Sequence, residues 1–158
     1  MAAWQAGRRE AASMFNAEQA TFLGTIGCSA QELFDFVDDS LRYGEPDFAT
    51  TLAVTGLRRK YFLEVMKAKS TGRVIDMDTL PPKSAEVDGM AWLPRIIEKA
   101  RAKLRGEMPP DLMYGCGGDR AFMQEVRMKL PDFLQLVWEA GEDNRHIIET
   151  VKKAAGKR

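Results

Sequence analysis

The six residues Tyr114-Gly-Cys-Gly-Gly-Asp119, with Arg120 directly after them, hold the densest chemistry in this sequence. Gly115, Gly117 and Gly118 open backbone conformations closed to other residues, and the segment after them has helical periodicity. A helix N-terminus presents unpaired N–H groups that attract anions. A cysteine placed there, with arginine or lysine close by, tends towards a reactive thiolate. Upstream, Arg95 and Lys99 are four residues apart on a predicted helix and share a stripe. Laid against the glycine turn, these side chains would make a site for a small carboxylate or phosphate. Arg95 and Lys99 would supply positive charge, Asp119 would orient the guest or accept a proton, and Tyr114 would shape the wall. The ligand-binding candidates are therefore Arg95, Lys99, Tyr114, Cys116, Asp119 and Arg120, with no catalytic residue assigned. A plainer reading of the same string is a tight turn, a capping aspartate and solvated basic side chains. The string matches neither the phosphate-loop nor the dinucleotide fingerprint.

Other chemistries find less support. A nucleophilic cysteine needs a base within reach, and the single histidine, His146, falls off the Ile147–Val151 stripe and is expected to face water. A zinc site normally takes four nitrogen or sulfur ligands, whereas this chain has two cysteines and one histidine. No metal and no cofactor is expected. Cys28 and Cys116 form no Cys-x-x-Cys pair and read as unpaired, small apolar side chains. In the acidic row Glu32, Asp35, Asp38 and Asp39, residues 32, 35 and 39 share one helix face and could serve acid/base work or bind a metal. A solvated acidic face, or pairing with Arg58-Arg59-Lys60, explains that row equally well.

The chain has 158 residues, the length of one ordinary domain, with 45% apolar and 29% charged residues. Its 23 basic and 23 acidic side chains cancel. A protein that neutralises phosphates usually carries a basic excess, so nucleic acid is not an expected partner. The longest uncharged run, from Gln19 to Gln31, is interrupted by Gly24 and Gly27 and falls short of the roughly 20 apolar residues a bilayer span requires. No signal-peptide block precedes Phe15. The expectation is a soluble protein of a reducing compartment, the cytoplasm, with no membrane partner.

The elements that would position the candidates are helices. Asn16 can cap a short helix ending near Gly27. Ser29 with Glu32 forms a capping box opening a helix that carries Leu33, Phe34, Val37 and Leu41 and stops at Gly44. Pro46-Asp47 opens a helix over about 48–69, apolar on more than one face and therefore expected at the centre. Gly56 in its middle suggests close approach of a neighbour. Residues 70–88 lack helical period and read as an extended connection. From about Met90, Leu93, Ile96, Ile97, Ala100 and Leu104 form a stripe, with Arg95, Glu98, Lys99, Arg101 and Lys103 elsewhere around the helix and Pro94 in its first turn. Asp119 is expected to cap the next helix, Pro131 to start another, and a last one to run over about 143–155. The fold class is all-α: a compact multi-helix bundle of two halves joined by an extended linker. The parts are a tail or short helix at 1–15, a helical half at 16–69, the linker at 70–88 and a second half at 89–158.

Three blocks resemble a bacterial family of small helical domains of unknown function: Asp88-Gly-Met-Ala-Trp-Leu-Pro-Arg-Ile-Ile-Glu-Lys-Ala-Arg-Ala-Lys103, Tyr114-Gly-Cys-Gly-Gly-Asp119 and Val137-Trp-Glu-Ala-Gly141. Segments at Ser29–Asp39, Tyr43–Pro46 and Arg58–Phe62 look similar to the N-terminal half of that family's longer members. One departure is that Gly117-Gly118 stand where the family pattern has Pro-Leu. The resemblance implies a helical fold and no particular activity. Two functional readings follow from the residues. One is a small anionic molecule bound in a pocket between the halves, with enzymatic activity open. The other is a helical module or subunit that holds a protein partner.

Overall fold

The computed structural model describes residues 2–157, and the chain divides into two compact units, Met1–Gly72 and Arg73–Arg158. The described residues are mostly helical, with one antiparallel strand pair two residues long on each side. The all-α expectation holds.

In the first unit, α1 (Ala2–Gln5) and α2 (Ala11–Met14) are single turns, followed by α3 (Ala17–Thr25), α4 (Ala30–Tyr43) and α5 (Phe48–Glu64). Both predicted caps form. The Asn16 side chain accepts from the Gln19 N–H and the Ser29 hydroxyl from that of Glu32, each bond reciprocated by the second side chain. α2 packs on α4, and the Trp4 indole donates to Asp38 at 2.8 Å. Asp38 also pairs with Arg42, and Asp35 accepts from Gln31, so much of the acidic row has local partners.

α5 is not central. It buries only Val54, Arg58 and Phe62, one residue per turn. Leu52 and Leu63 remain exposed. Its apolar residues surround the helix, but the unit supplies neighbours on one side only. A Cβ at Gly56 would meet nothing within 4 Å, so that glycine marks no close approach. The helix stops at Glu64 rather than near 69, because Lys67 and Ala68 adopt left-handed conformations and the Ala68 N–H closes back on the Phe62 carbonyl. Gly27 is the glycine with a steric duty: its φ is +75° and a Cβ would run into the Phe62 side chain at 2.6 Å.

In the second unit, a single 3₁₀ turn (Met77–Thr79) precedes β1 (Glu86–Val87) and β2 (Met90–Ala91), then α6 (Leu93–Arg105), α7 (Gly117–Glu125), α8 (Leu130–Ala140) and α9 (Asn144–Ala155). The stretch after Arg73, read from sequence as connection, is tied into this unit. Ile75 N–H donates to the Glu107 carbonyl, Trp92 N–H to that of Ala85, and Arg95 to that of Pro81. β2 and the helix now divide what the sequence suggested was a single helix from Met90. Trp92, at φ +73°, makes the turn between them.

Within this unit α6 is central, packing against α8 and β1, while α8 packs against α7 and α9. Met90, Leu93, Ile96, Ala100, Phe133, Leu134, Ile147 and Val151 are fully buried between them. Three basic residues expected elsewhere around α6, Lys99, Arg101 and Lys103, are buried as well. Arg101 shows why this is tolerated: its guanidinium donates to the Gly141 carbonyl, Asn144 Oδ1 and Glu98, tying the α8–α9 corner to α6.

The two glycines make opposite predictions. Gly56→Ala should raise stability by about 1 kcal/mol, the helix-propensity difference at an open site. Gly27→Ala should lower it by about 2 kcal/mol or more, from left-handed strain and overlap with Phe62. Urea midpoints of the two variants check both signs.

Candidate functional site

The site grows from a buried carboxylate. Asp119 lies in the first turn of α7 and is wholly buried. An isolated ionised carboxylate in that position would be very costly unless paired and hydrogen-bonded. Three donors converge on it. The Trp92 indole N–H donates to Oδ1 at 2.9 Å, while Oδ2 accepts from Lys99 Nζ at 2.5 Å and from the Gly115 backbone N–H at 2.8 Å. Asp119 is therefore not the N-cap of α7. Cys116 occupies that position and makes no side-chain cap bond, while Asp119 reaches back to fix the turn ahead of the helix.

Lys99 extends from the middle of α6 with a side chain only 2% exposed. Its ammonium also lies 3.2 Å from Cys116 Sγ. One buried cation thus bridges a carboxylate and a sulfur. Cys116 itself is partly exposed, unlike Lys99 and Asp119.

The glycines set the shape. Gly115 has φ +94°, which favours glycine, and its carbonyl accepts from Arg120 Nη1 at 2.7 Å. A Cβ on Gly118 would overlap the Trp92 indole. Gly118 is thus explained by the tryptophan lying against the start of α7: the ring that holds Asp119 leaves no room for a side chain there, while a Cβ on Gly117 would be tolerated.

Of the six residues nominated from sequence, all lie in the Arg73–Arg158 unit, and Lys99, Cys116 and Asp119 meet directly. Arg120 joins through the Gly115 peptide. Tyr114 adjoins as a buried pillar whose hydroxyl donates to the Leu130 carbonyl at 2.8 Å, linking the turn to the start of α8. Burial pushes its phenol well above the ordinary range, with the charges of Asp119 and Asp132 adding to that. Arg95, half-buried, spends a guanidinium hydrogen on Pro81. His146 is exposed on α9. Sequence reasoning missed Trp92 as a site residue; the signal was a glycine, Gly118, inside a helix turn without a bend to explain it. Among the described residues, no three His, Cys, Asp or Glu side chains gather as a metal site would need, and no helix is long and apolar enough to cross a membrane.

Removing one member of the buried pair leaves the other charge uncompensated, so Asp119→Ala should cost about 3–5 kcal/mol, and the double variant Lys99→Met/Asp119→Leu less than either single change. A single-variant loss below about 1 kcal/mol, the value of an exposed pair, would contradict this burial. For Tyr114 the sign is set by its raised phenol. Above about pH 10 the unfolded chain releases that proton while the folded one retains it, so stability falls as pH rises from there. Tyr114→Phe should be less stable by about 1 kcal/mol at neutral pH, from the lost hydrogen bond to the Leu130 carbonyl, yet decline less steeply above pH 10. Denaturation midpoints across the alkaline range test it.

No curated protein and no solved structure matches this chain. A family of unknown function does match, over residues 77–158, which include α6 to α9 and every residue of the cluster just described. The blocks between Ser29 and Phe62 lie outside the matched part. The chain belongs to the family described as Domain of unknown function (DUF5069).

Proposed function

We propose that the Arg73–Arg158 unit is a small-molecule site whose working group is the Cys116 sulfur, with Lys99 as its cationic partner and a small anion or anionic electrophile as its guest. The observation that carries this reading is the bridging position of Lys99, 2.5 Å from Asp119 and 3.2 Å from the sulfur. The thiolate is the nucleophilic form of cysteine, and Cys116 stands at the N-cap of α7 with the Lys99 ammonium against its sulfur. An anionic guest is favoured because α7 begins without a side-chain cap bond from Cys116, leaving first-turn N–H groups beside the sulfur. Asp119, wholly buried, positions Lys99, and the half-buried Trp92 steadies Asp119. Arg120 braces the turn, and Arg95 holds the preceding segment. Whether the guest is only bound or is chemically transformed depends on its leaving group.

The first unit carries the observation for a second reading, a protein-interaction surface. Phe48 and Leu52 are 80% and 60% exposed, one turn apart on α5, beside an apolar groove lined by Phe36, Val37, Ser40, Phe48 and Thr51. Isolated exposed apolar residues are ordinary, but contiguous ones mark interaction sites.

Alkylation kinetics test the first reading. Cys116 should react with neutral iodoacetamide faster than glutathione at neutral pH, and its preference for iodoacetate over iodoacetamide should exceed that of glutathione. Lys99→Met, checked for folding by circular dichroism, should abolish both differences. Reaction no faster than glutathione, and indifferent to Lys99→Met, rejects the reading. For the second, Phe48→Ser/Leu52→Ser should release a stoichiometric partner that co-purifies with the parent chain. Absence of such a partner rejects it.

A further inference from the structure

We infer that Cys116 and Lys99 form a reversible covalent crosslink on oxidation, a sulfenamide joining Sγ to Nζ, which makes the site responsive to peroxide. This deepens the thiol reading and rests on it.

The cysteine does not stand alone. Lys99 Nζ lies 3.2 Å from Sγ and is fixed there by Asp119 at 2.5 Å, on a side chain that solvent scarcely reaches. A surface lysine would spend most of its time elsewhere. This one is confined beside the sulfur. Peroxide can reach Cys116, which is partly exposed. A cysteine oxidised to sulfenic acid usually condenses with a second thiol, or with a nearby nitrogen when one is presented. The other cysteine, Cys28, is buried, and the nucleophile found at the Cys116 sulfur is the lysine nitrogen.

The atoms balance with hydrogen peroxide as the oxidant. The Cys116 thiolate attacks one peroxide oxygen; the O–O bond breaks, sulfur is oxidised to the sulfenic acid, and hydroxide leaves. That hydroxide takes a proton from the Lys99 ammonium, giving water and a neutral amine. The amine lone pair attacks sulfur, the S–O bond breaks, and the departing hydroxide takes a second proton from nitrogen as water. Thiolate, ammonium and one peroxide thus become a neutral S–N link and two waters. An external thiol reverses the step: it attacks sulfur, the nitrogen leaves as the Lys99 amine, and a second thiol frees Cys116 from the mixed disulfide. The link masks the nucleophile and shields sulfur from further oxidation. It also replaces the ammonium that faces Asp119 with an uncharged nitrogen, while the Trp92 and Gly115 donors to that carboxylate remain.

The test uses the full chain, treated with one equivalent of hydrogen peroxide and examined by intact mass and peptide mapping. The expected product is lighter by two hydrogen atoms, joins the peptide holding Lys99 to the peptide holding Cys116, resists iodoacetamide at Cys116, and reverts with dithiothreitol. Cys28→Ser should still form it and Cys116→Ser should not, which separates it from a disulfide of equal mass change. Accumulation of Cys116 as sulfinic acid, as an intermolecular disulfide, or unoxidised, with the Lys99 peptide free, overturns the inference. Fast, Lys99-dependent alkylation without the link would sink the crosslink alone; slow alkylation would sink the thiol reading with it.

Discussion

The ion pair between Lys99 and Asp119 is the constraint around which the second unit is arranged. Both groups are removed from water, and desolvating two charges costs several kcal/mol per ion unless geometry and additional hydrogen bonds compensate. A carboxylate alone with one ammonium would not meet that condition. Asp119 meets it with two more donors, the Trp92 indole and the Gly115 N–H, one from just ahead of α6 and one from the turn just before α7. A single carboxylate therefore fixes three things: where α6 lies along the start of α7, the rotamer of Trp92, and the shape of the glycine turn. Replacing the pair with apolar residues is often neutral for stability, which makes stability alone a weak reason for this chain to hold it. The position of the ammonium against the Cys116 sulfur is a different kind of reason.

The surrounding residues follow from that arrangement. Trp92 can lie over the helix start only because residue 118 has no side chain. Gly115 turns the chain so that its N–H faces Asp119 while its carbonyl takes a bond from Arg120. Tyr114, one residue earlier, is anchored through its hydroxyl to the start of α8. The turn is therefore held from both ends. α6, the most buried helix, supplies Lys99 from its middle, where the backbone moves least. A partly exposed cysteine thus sits on a rigid, dry foundation, the usual combination in sites where chemistry depends on position.

Much of the fold was legible in the sequence because helices announce themselves locally. The Ser29–Glu32 capping box, the Asn16 cap, Pro94 in a first turn and the stops at Gly44, Gly106 and Gly141 are short-range signals, and each is found where expected. What was misread concerns neighbours. α5 is apolar on several faces and was expected at the centre, yet a wide apolar surface shows only that burial is available, not that partners arrive. α6 looks amphipathic, with a normal charged face, and proved central to its unit because Lys99 and Arg101 find fixed acceptors far along the chain. Nothing in a local pattern distinguishes a solvated lysine from one that will meet an aspartate 20 residues later. The turn from Tyr114 to Asp119 was singled out, and Lys99 with it, and these residues do meet. Trp92 was not singled out, since its contact depends on an empty space, the missing side chain of Gly118, that only three dimensions reveal.

The central claim is that the Lys99 ammonium is held between Asp119 and Cys116, away from water. Nitrogen-15 spectroscopy of the lysine side chains addresses it most directly. Exposed lysine N–H protons exchange with water too rapidly to be seen at neutral pH and room temperature, whereas buried, hydrogen-bonded ones persist. The account predicts a protected Nζ resonance that disappears in Lys99→Met and shifts in Cys116→Ser. A spectrum in which Lys99 exchanges as fast as the surface lysines, unaffected by the cysteine substitution, would contradict it.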